Sequence, residues 1–248
     1  MYKRGSGSFK TDVDCYNDSD NSTYTVAKVL GDTIDGIQTG TGSAGNGALF
    51  RQLLTGAKWD IIIIHQVSGF SNDYSTWFGN TDGGYLKELI QIIRMTNPQA
   101  TIGTYLIHSY ISTYSKNTEK SSLLRWENIS NAIKEFVNDC GIDLIIPYGT
   151  AVQNLRASSL NDDANEFSTD GTHMASGIGD YVASCCYYQS LFAPRFGVSV
   201  IGNTYRNTSL DETTAGVKVI DDDNALLAQK AAMLATYNMF EINNPDNY

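Results

Sequence analysis

The chain of 248 residues has no apolar run of membrane-spanning length; the run Ile61–Ile64 is strand-sized. A transmembrane helix takes about 20 consecutive apolar residues, so none is expected. No Cys-x-x-Cys pair occurs among Cys15, Cys140, Cys185 and Cys186. This removes the usual spacings of structural zinc and thioredoxin-type chemistry and leaves buried free thiols as the expected state. The three histidines, His65, His108 and His173, are scattered with no His-x-x-x-His spacing, so neither a metal site nor any other cofactor is expected. Positive charge is scarce: 17 Lys and Arg stand against 27 Asp and Glu, a net charge of −10. An acidic surface repels nucleic acid and anionic membrane, so neither is an expected partner. No apolar segment follows Met1-Tyr2-Lys3-Arg4, so no export signal is visible, and compartment and oligomeric state stay open.

What is present is an ordinary globular composition, 42% apolar, at a length suited to one α/β domain over 1–248. Residues 1–23 read as an irregular or hairpin segment, Tyr24–Leu30 and Ala48–Leu54 as short helices, and 31–47 as a loop. Trp59–Gln66 contains a continuous β-branched run, as a parallel strand covered on both faces requires. Helical periodicity over Gly84–Met95 is followed by a strand at Thr101–His108. A long amphipathic helix over Ser121–Cys140 is stopped by Gly141. A third strand follows at Ile142–Pro147, then a helix at Thr150–Ser158, a polar loop, and a helix at about Gly177–Phe192. Residues 195–248 read as an extension packed on the same domain, with a strand-like Val198–Ile201 and a helix over Ala225–Tyr237. Alternating strands and helices predict a parallel sheet with crossover helices.

Ligands of such sheets bind beyond the carboxyl ends of the strands. Those ends deliver His65, Gln66 and Ser68, then His108 and Tyr110, then Thr150. Asp170 and His173 follow in a loop before a helix. A histidine titrates near neutrality and suits proton transfer; a carboxylate three residues away can hold its ring in one tautomer. Asp170 can equally cap the next helix, with His173 as a surface residue. The Gln66 amide can donate to an oxyanion or to a neighbouring loop. The aromatic group Phe70, Tyr74, Trp77 and Phe78 can line a sugar cleft or form a lid packed on the core.

Together, Trp59–Ser68 (WDIIIIHQVS), Ile145–Arg156 (IIPYGTAVQNLR), Asp170–Tyr181 (DGTHMASGIGDY) and Val200–Arg206 (VIGNTYR) resemble a bacterial family of SGNH (GDSL-like) hydrolase domains over roughly residues 24–240. The resemblance implies a three-layer α/β/α, flavodoxin-like fold and Ser–His–Asp ester hydrolysis. His173 would be the catalytic base, Asp170 its acid and Gln66 an oxyanion donor, while His65, Ser68, His108, Tyr110 and Thr150 would line a substrate pocket. It departs from the family in one respect: no apolar strand ending in a Gly-Asn-Ser-like nucleophile block precedes Trp59. Val200–Tyr205 has a similar pattern with Thr in place of Ser, and Val198–Ile201 is a candidate to fill the missing strand position.

The expectation is therefore an esterase acting on acylated carbohydrate, with its nucleophile unidentified. The alternatives are a non-catalytic carbohydrate-binding remnant of the same fold and a truncated, inactive gene product.

Overall fold

The computed structural model describes residues 15–17, 22–24, 54, 57–78, 84–161, 164–207, 210 and 213–248. The expected helices at Tyr24–Leu30 and Ala48–Leu54 fall almost wholly outside these residues. Strands β1 (Cys15–Asn17) and β2 (Ser22–Tyr24) pair antiparallel, with Cys15 opposite Tyr24. The hairpin reading of this segment thus describes its backbone, and Tyr24 lies in a strand instead of opening a helix.

The centre of the molecule is a parallel sheet of β3 (Ile61–Ile63), β4 (Thr101–Tyr105) and β5 (Leu144–Ile146), in that order. Ile62 pairs with Ile102, and Thr104 with Ile145. Successive strand side chains point to opposite faces. Ile62 and Ile64 accordingly pack with Ile92, Ile93 and Phe136, whereas Ile63 and Tyr105 pack on the opposite core with Val152, Val182 and Ala228. Both faces are apolar because both are covered, and this is why the run is continuous instead of alternating.

The first covering layer is α1 (Gly84–Thr96) and α2 (Ser122–Cys140). Ser121 caps α2, its hydroxyl accepting from Leu124 N–H at 3.1 Å. Gly141 ends the helix in the left-handed conformation (φ 63°), which only a residue without Cβ adopts freely. The second layer is α3 (Tyr148–Arg156), α4 (Ile178–Leu191) and α6 (Asp222–Tyr237), with the short α5 (Ala193–Phe196) after α4. Ala225, Ala228, Ala231, Ala232 and Ala235 of α6 are all buried. Small side chains let this helix lie close against α3 and α4.

Three layers are present, but the flavodoxin-like expectation is too specific. Among the described residues the parallel sheet has three strands and open edges, smaller than a five-stranded flavodoxin sheet. Val198–Ile201 does not fill a strand position. It lies outside the strands, and Val200 N–H donates to the Gln189 side chain at 3.0 Å. Val200 is buried among the helices, and Gly202-Asn203-Thr204 follows no strand.

Candidate functional site

The carboxyl ends of the strands carry a connected set of aromatic and imidazole rings. His65, just past β3, packs against Tyr105 with the ring centroids 4.2 Å apart and the planes tilted by 35°. The Tyr105 hydroxyl lies 3.0 Å from its Nε2. Burial first, and then the neighbouring Tyr187, push the Tyr105 hydroxyl up to about 12. Tyr148 reaches from the start of α3, its hydroxyl 2.7 Å from Nδ1 of His108. Nε2 of His108 lies 2.6 Å from the Thr172 carbonyl. A carbonyl only accepts, so Nε2 carries the proton and Nδ1 accepts from Tyr148. Burial pushes His108 down to about 4, against a backbone bond to Thr172 that opposes the fall. The ring is therefore neutral at physiological pH and acts as a strut between β4, α3 and the loop at 170–173.

That loop is tightly tied. Asp170 Oδ1 accepts from the backbone N–H groups of Thr172 and His173 at 2.9 and 2.8 Å. Its Oδ2 lies 2.7 Å from His173 Nδ1. These bonds, the one from the His173 ring foremost, hold the Asp170 carboxyl well below the usual carboxylate range. Ser168 donates its hydroxyl to the His173 carbonyl and accepts from Gly171 N–H, both at 2.8 Å. The His173 side chain is 82% exposed, so its ring is oriented from one edge and open to solvent on the other. Among the described residues nothing bonds its Nε2, and no serine hydroxyl reaches it.

The other expected site residues divide. Ser68 and Tyr110 meet, the tyrosine hydroxyl donating to Ser68 Oγ at 3.1 Å. Gln66 accepts at its Oε1 from the N–H of the adjacent Val67 at 2.9 Å. Thr150 does not face a pocket. It is fully buried, accepting from Trp126 Nε1 at 3.2 Å and donating to the Met239 carbonyl at 2.5 Å, so its hydroxyl is consumed in the core. Of the aromatic group, Tyr74 and Trp77 pack on Phe136 at 6.4 and 5.1 Å as a lid. Phe70 stays 52% exposed, and the Phe78 side chain lies outside the described residues.

Sequence reasoning passed over two buried ion pairs that shape the site. Arg125 bonds Glu119 at 3.0 Å and the Ser68 carbonyl at 2.9 Å, and its guanidinium lies 4.1 Å from the Tyr110 ring centroid. Burial would raise the Glu119 carboxyl. Its own backbone N–H, the Thr118 hydroxyl and the Asn72 and Asn128 amides outweigh that and bring it down to about 2. Arg156 lies 3.4 Å from Glu166 and donates to Ser109 Oγ at 2.7 Å. Glu166 and Phe167 have φ of 48° and 64°, a strained pair of left-handed residues leading into the Ser168–His173 loop. A signal was available: Arg125 and Arg156 lie beside Trp126 and Leu155, at helix positions that an apolar face would claim. Among the described residues no group of three His, Cys, Asp or Glu is placed to hold a metal ion.

The fold has a counterpart. A crystal structure of a DUF4886 family protein from Bacteroides uniformis matches with a TM-score of 0.68 and 25% identity, over 82% of this chain and 72% of that one. No curated protein matches the chain. A family model described as a domain of unknown function, DUF4886, matches residues 12–223. These matches correct the hydrolase resemblance, since both the sequence model and the solved fold point to DUF4886 and neither to an SGNH or GDSL-like hydrolase. The esterase expectation falls with it, because no nucleophile completes the Asp170–His173 pair among the described residues. With 12–223 covered by the model, the chain belongs to the DUF4886 family.

Proposed function

We propose that the chain is a non-catalytic binding module that takes a neutral carbohydrate at the carboxyl ends of β3 and β4. The observation that carries this reading is the exposed His173 ring, oriented by Asp170 at 2.7 Å and met by no nucleophile among the described residues. Such a ring is a directional hydrogen-bonding head for a sugar hydroxyl. The net charge of −10 favours a neutral ligand over an anionic one. The exposed Phe70 supplies an apolar face of the kind sugar rings stack on. Arg125 and Glu119 hold the Ser68 turn, and His108 holds the Thr172 carbonyl, so the site is preorganised and little ordering entropy is spent on binding.

A glycan array followed by calorimetric titration of the strongest hit tests the reading. Saturable binding, weakened about tenfold or more in His173→Ala and accompanied by no turnover of short p-nitrophenyl esters, is the expected result. Failure to bind any glycan, or ester turnover that depends on His173, would overturn it.

A further inference from the structure

A second concavity opens beside Ser176 and Gly177. It is a groove of about 350 Å³ between α4, the segment 200–207 and Ile220, within the roughly 300–1,000 Å³ range of small-molecule sites. Its floor is Tyr181, which is buried and fixed at its hydroxyl by the Gln229 amide at 2.8 Å. Gln229 is itself buried, and it also accepts from Gly202 N–H at 2.7 Å and donates to the Asn203 carbonyl at 2.8 Å. The 200–203 wall is therefore pinned to α6. Tyr188 and Tyr205 complete an aromatic surround, with Tyr205 90% exposed.

One charged group in this groove has no counter-ion. The Asp180 carboxyl makes no hydrogen bond or ion pair among the described residues, and only partial burial perturbs it, upward. The other charged lining residue, Arg206, is already engaged by Asp222. A carboxylate without a side-chain partner, in a groove also lined by Tyr181, Tyr188 and Tyr205, offers the recognition chemistry of an organic cation, with the carboxylate as counter-ion and the rings as cation–π partners. Ser184 and Asn203 add polar groups for hydroxyls, and the net charge of −10 draws cations towards the surface.

We infer that this groove binds a small polyhydroxylated ammonium compound, its ammonium group on Asp180 and its body against Tyr181, Tyr188 and Tyr205. The site shares no residue with the one proposed around His173, and its ligand carries the opposite requirement on charge. The two readings therefore fail separately.

The test titrates the whole chain at neutral pH with N-methylglucamine, a polyol carrying one ammonium, and with sorbitol, the corresponding polyol without it. N-methylglucamine should bind about tenfold more tightly or better, with chemical-shift changes at the Tyr181, Tyr188 and Tyr205 rings. Asp180→Asn, a near-isosteric change at an exposed position, should abolish the preference while leaving the melting temperature unchanged. Tyr188→Leu should weaken the ammonium compound more than the polyol. Equal binding of the two probes, no binding of either, or a preference that survives Asp180→Asn overturns the assignment.

Discussion

The Tyr148 hydroxyl donates to Nδ1 of His108 at 2.7 Å while the opposite nitrogen donates to the Thr172 carbonyl at 2.6 Å. One neutral imidazole thus links α3, the end of β4 and the loop that presents His173.

This linkage sets a pH dependence of stability. His108 is pushed down to about 4 in the folded chain from an ordinary 6.5. Between those values the unfolded chain binds a proton that the folded chain refuses, so stability rises with pH. The contribution is complete above about 6.5, is lost as pH falls towards 4, and is constant below. At about 1.4 kcal/mol per pH unit the whole window amounts to about 3 kcal/mol. Urea unfolding from pH 4 to 7 should show that slope in the wild type and a shallower one in His108→Gln. Parallel profiles would remove His108 as its source.

The Asp170–His173 pair predicts a spectroscopic signature. With Asp170 Oδ2 at 2.7 Å from His173 Nδ1, the neutral ring should carry its proton on Nδ1. Ring nitrogen shifts should report that tautomer in the wild type and a mixture in Asp170→Ala. An unchanged spectrum would mean the carboxylate does not orient the ring.

Arg156→Met should be among the more destabilising single changes, by about 3–5 kcal/mol, because it leaves Glu166 buried without its charge partner. The 3.4 Å pair and the 2.7 Å bond to Ser109 both vanish. Adding Glu166→Gln to that variant should recover part of the loss in urea melts. No recovery would show that Arg156 acts instead through Ser109 and the Gln153 side chain, whose Oε1 accepts from Arg156 at 3.1 Å.

Gly171 has φ +91°, and a Cβ there would come 2.7 Å from Tyr114 Cδ2. Gly171→Ala should cost about 1–3 kcal/mol and loosen the loop, since Gly171 also accepts from Ile111 N–H at 3.1 Å. Faster amide exchange at Thr172 and His173 checks the second part.

The layered core was legible because it depends on local pattern. The run Ile61–Ile64 announces a strand covered on both faces, and Ser121 with Gly141 marks the ends of α2 to within a residue. Asp170 and His173 were legible for the same reason, since a three-residue separation brings a carboxylate to a ring without help from the rest of the chain. The roles of Thr150 and Val198–Ile201 were not. A threonine just after a strand end and a β-branched tetrapeptide carry the same local signal whether they face a cleft, pair in a sheet or fill a core.

Alternation, caps and composition by themselves determined the succession of strands and helices, the ends of α2 and the net acidic charge. Only the tertiary structure decided that His108 is a neutral strut, that Arg125 and Arg156 are buried against Glu119 and Glu166, and that Asp180 lines one groove with Tyr181, Tyr188 and Tyr205. The reason is range. Periodicity and capping act over three or four residues, whereas the Tyr148–His108 bond joins positions 40 residues apart and the Arg125–Ser68 bond positions 57 apart. Pairings of that kind exist only once the sheet has brought its strand ends together.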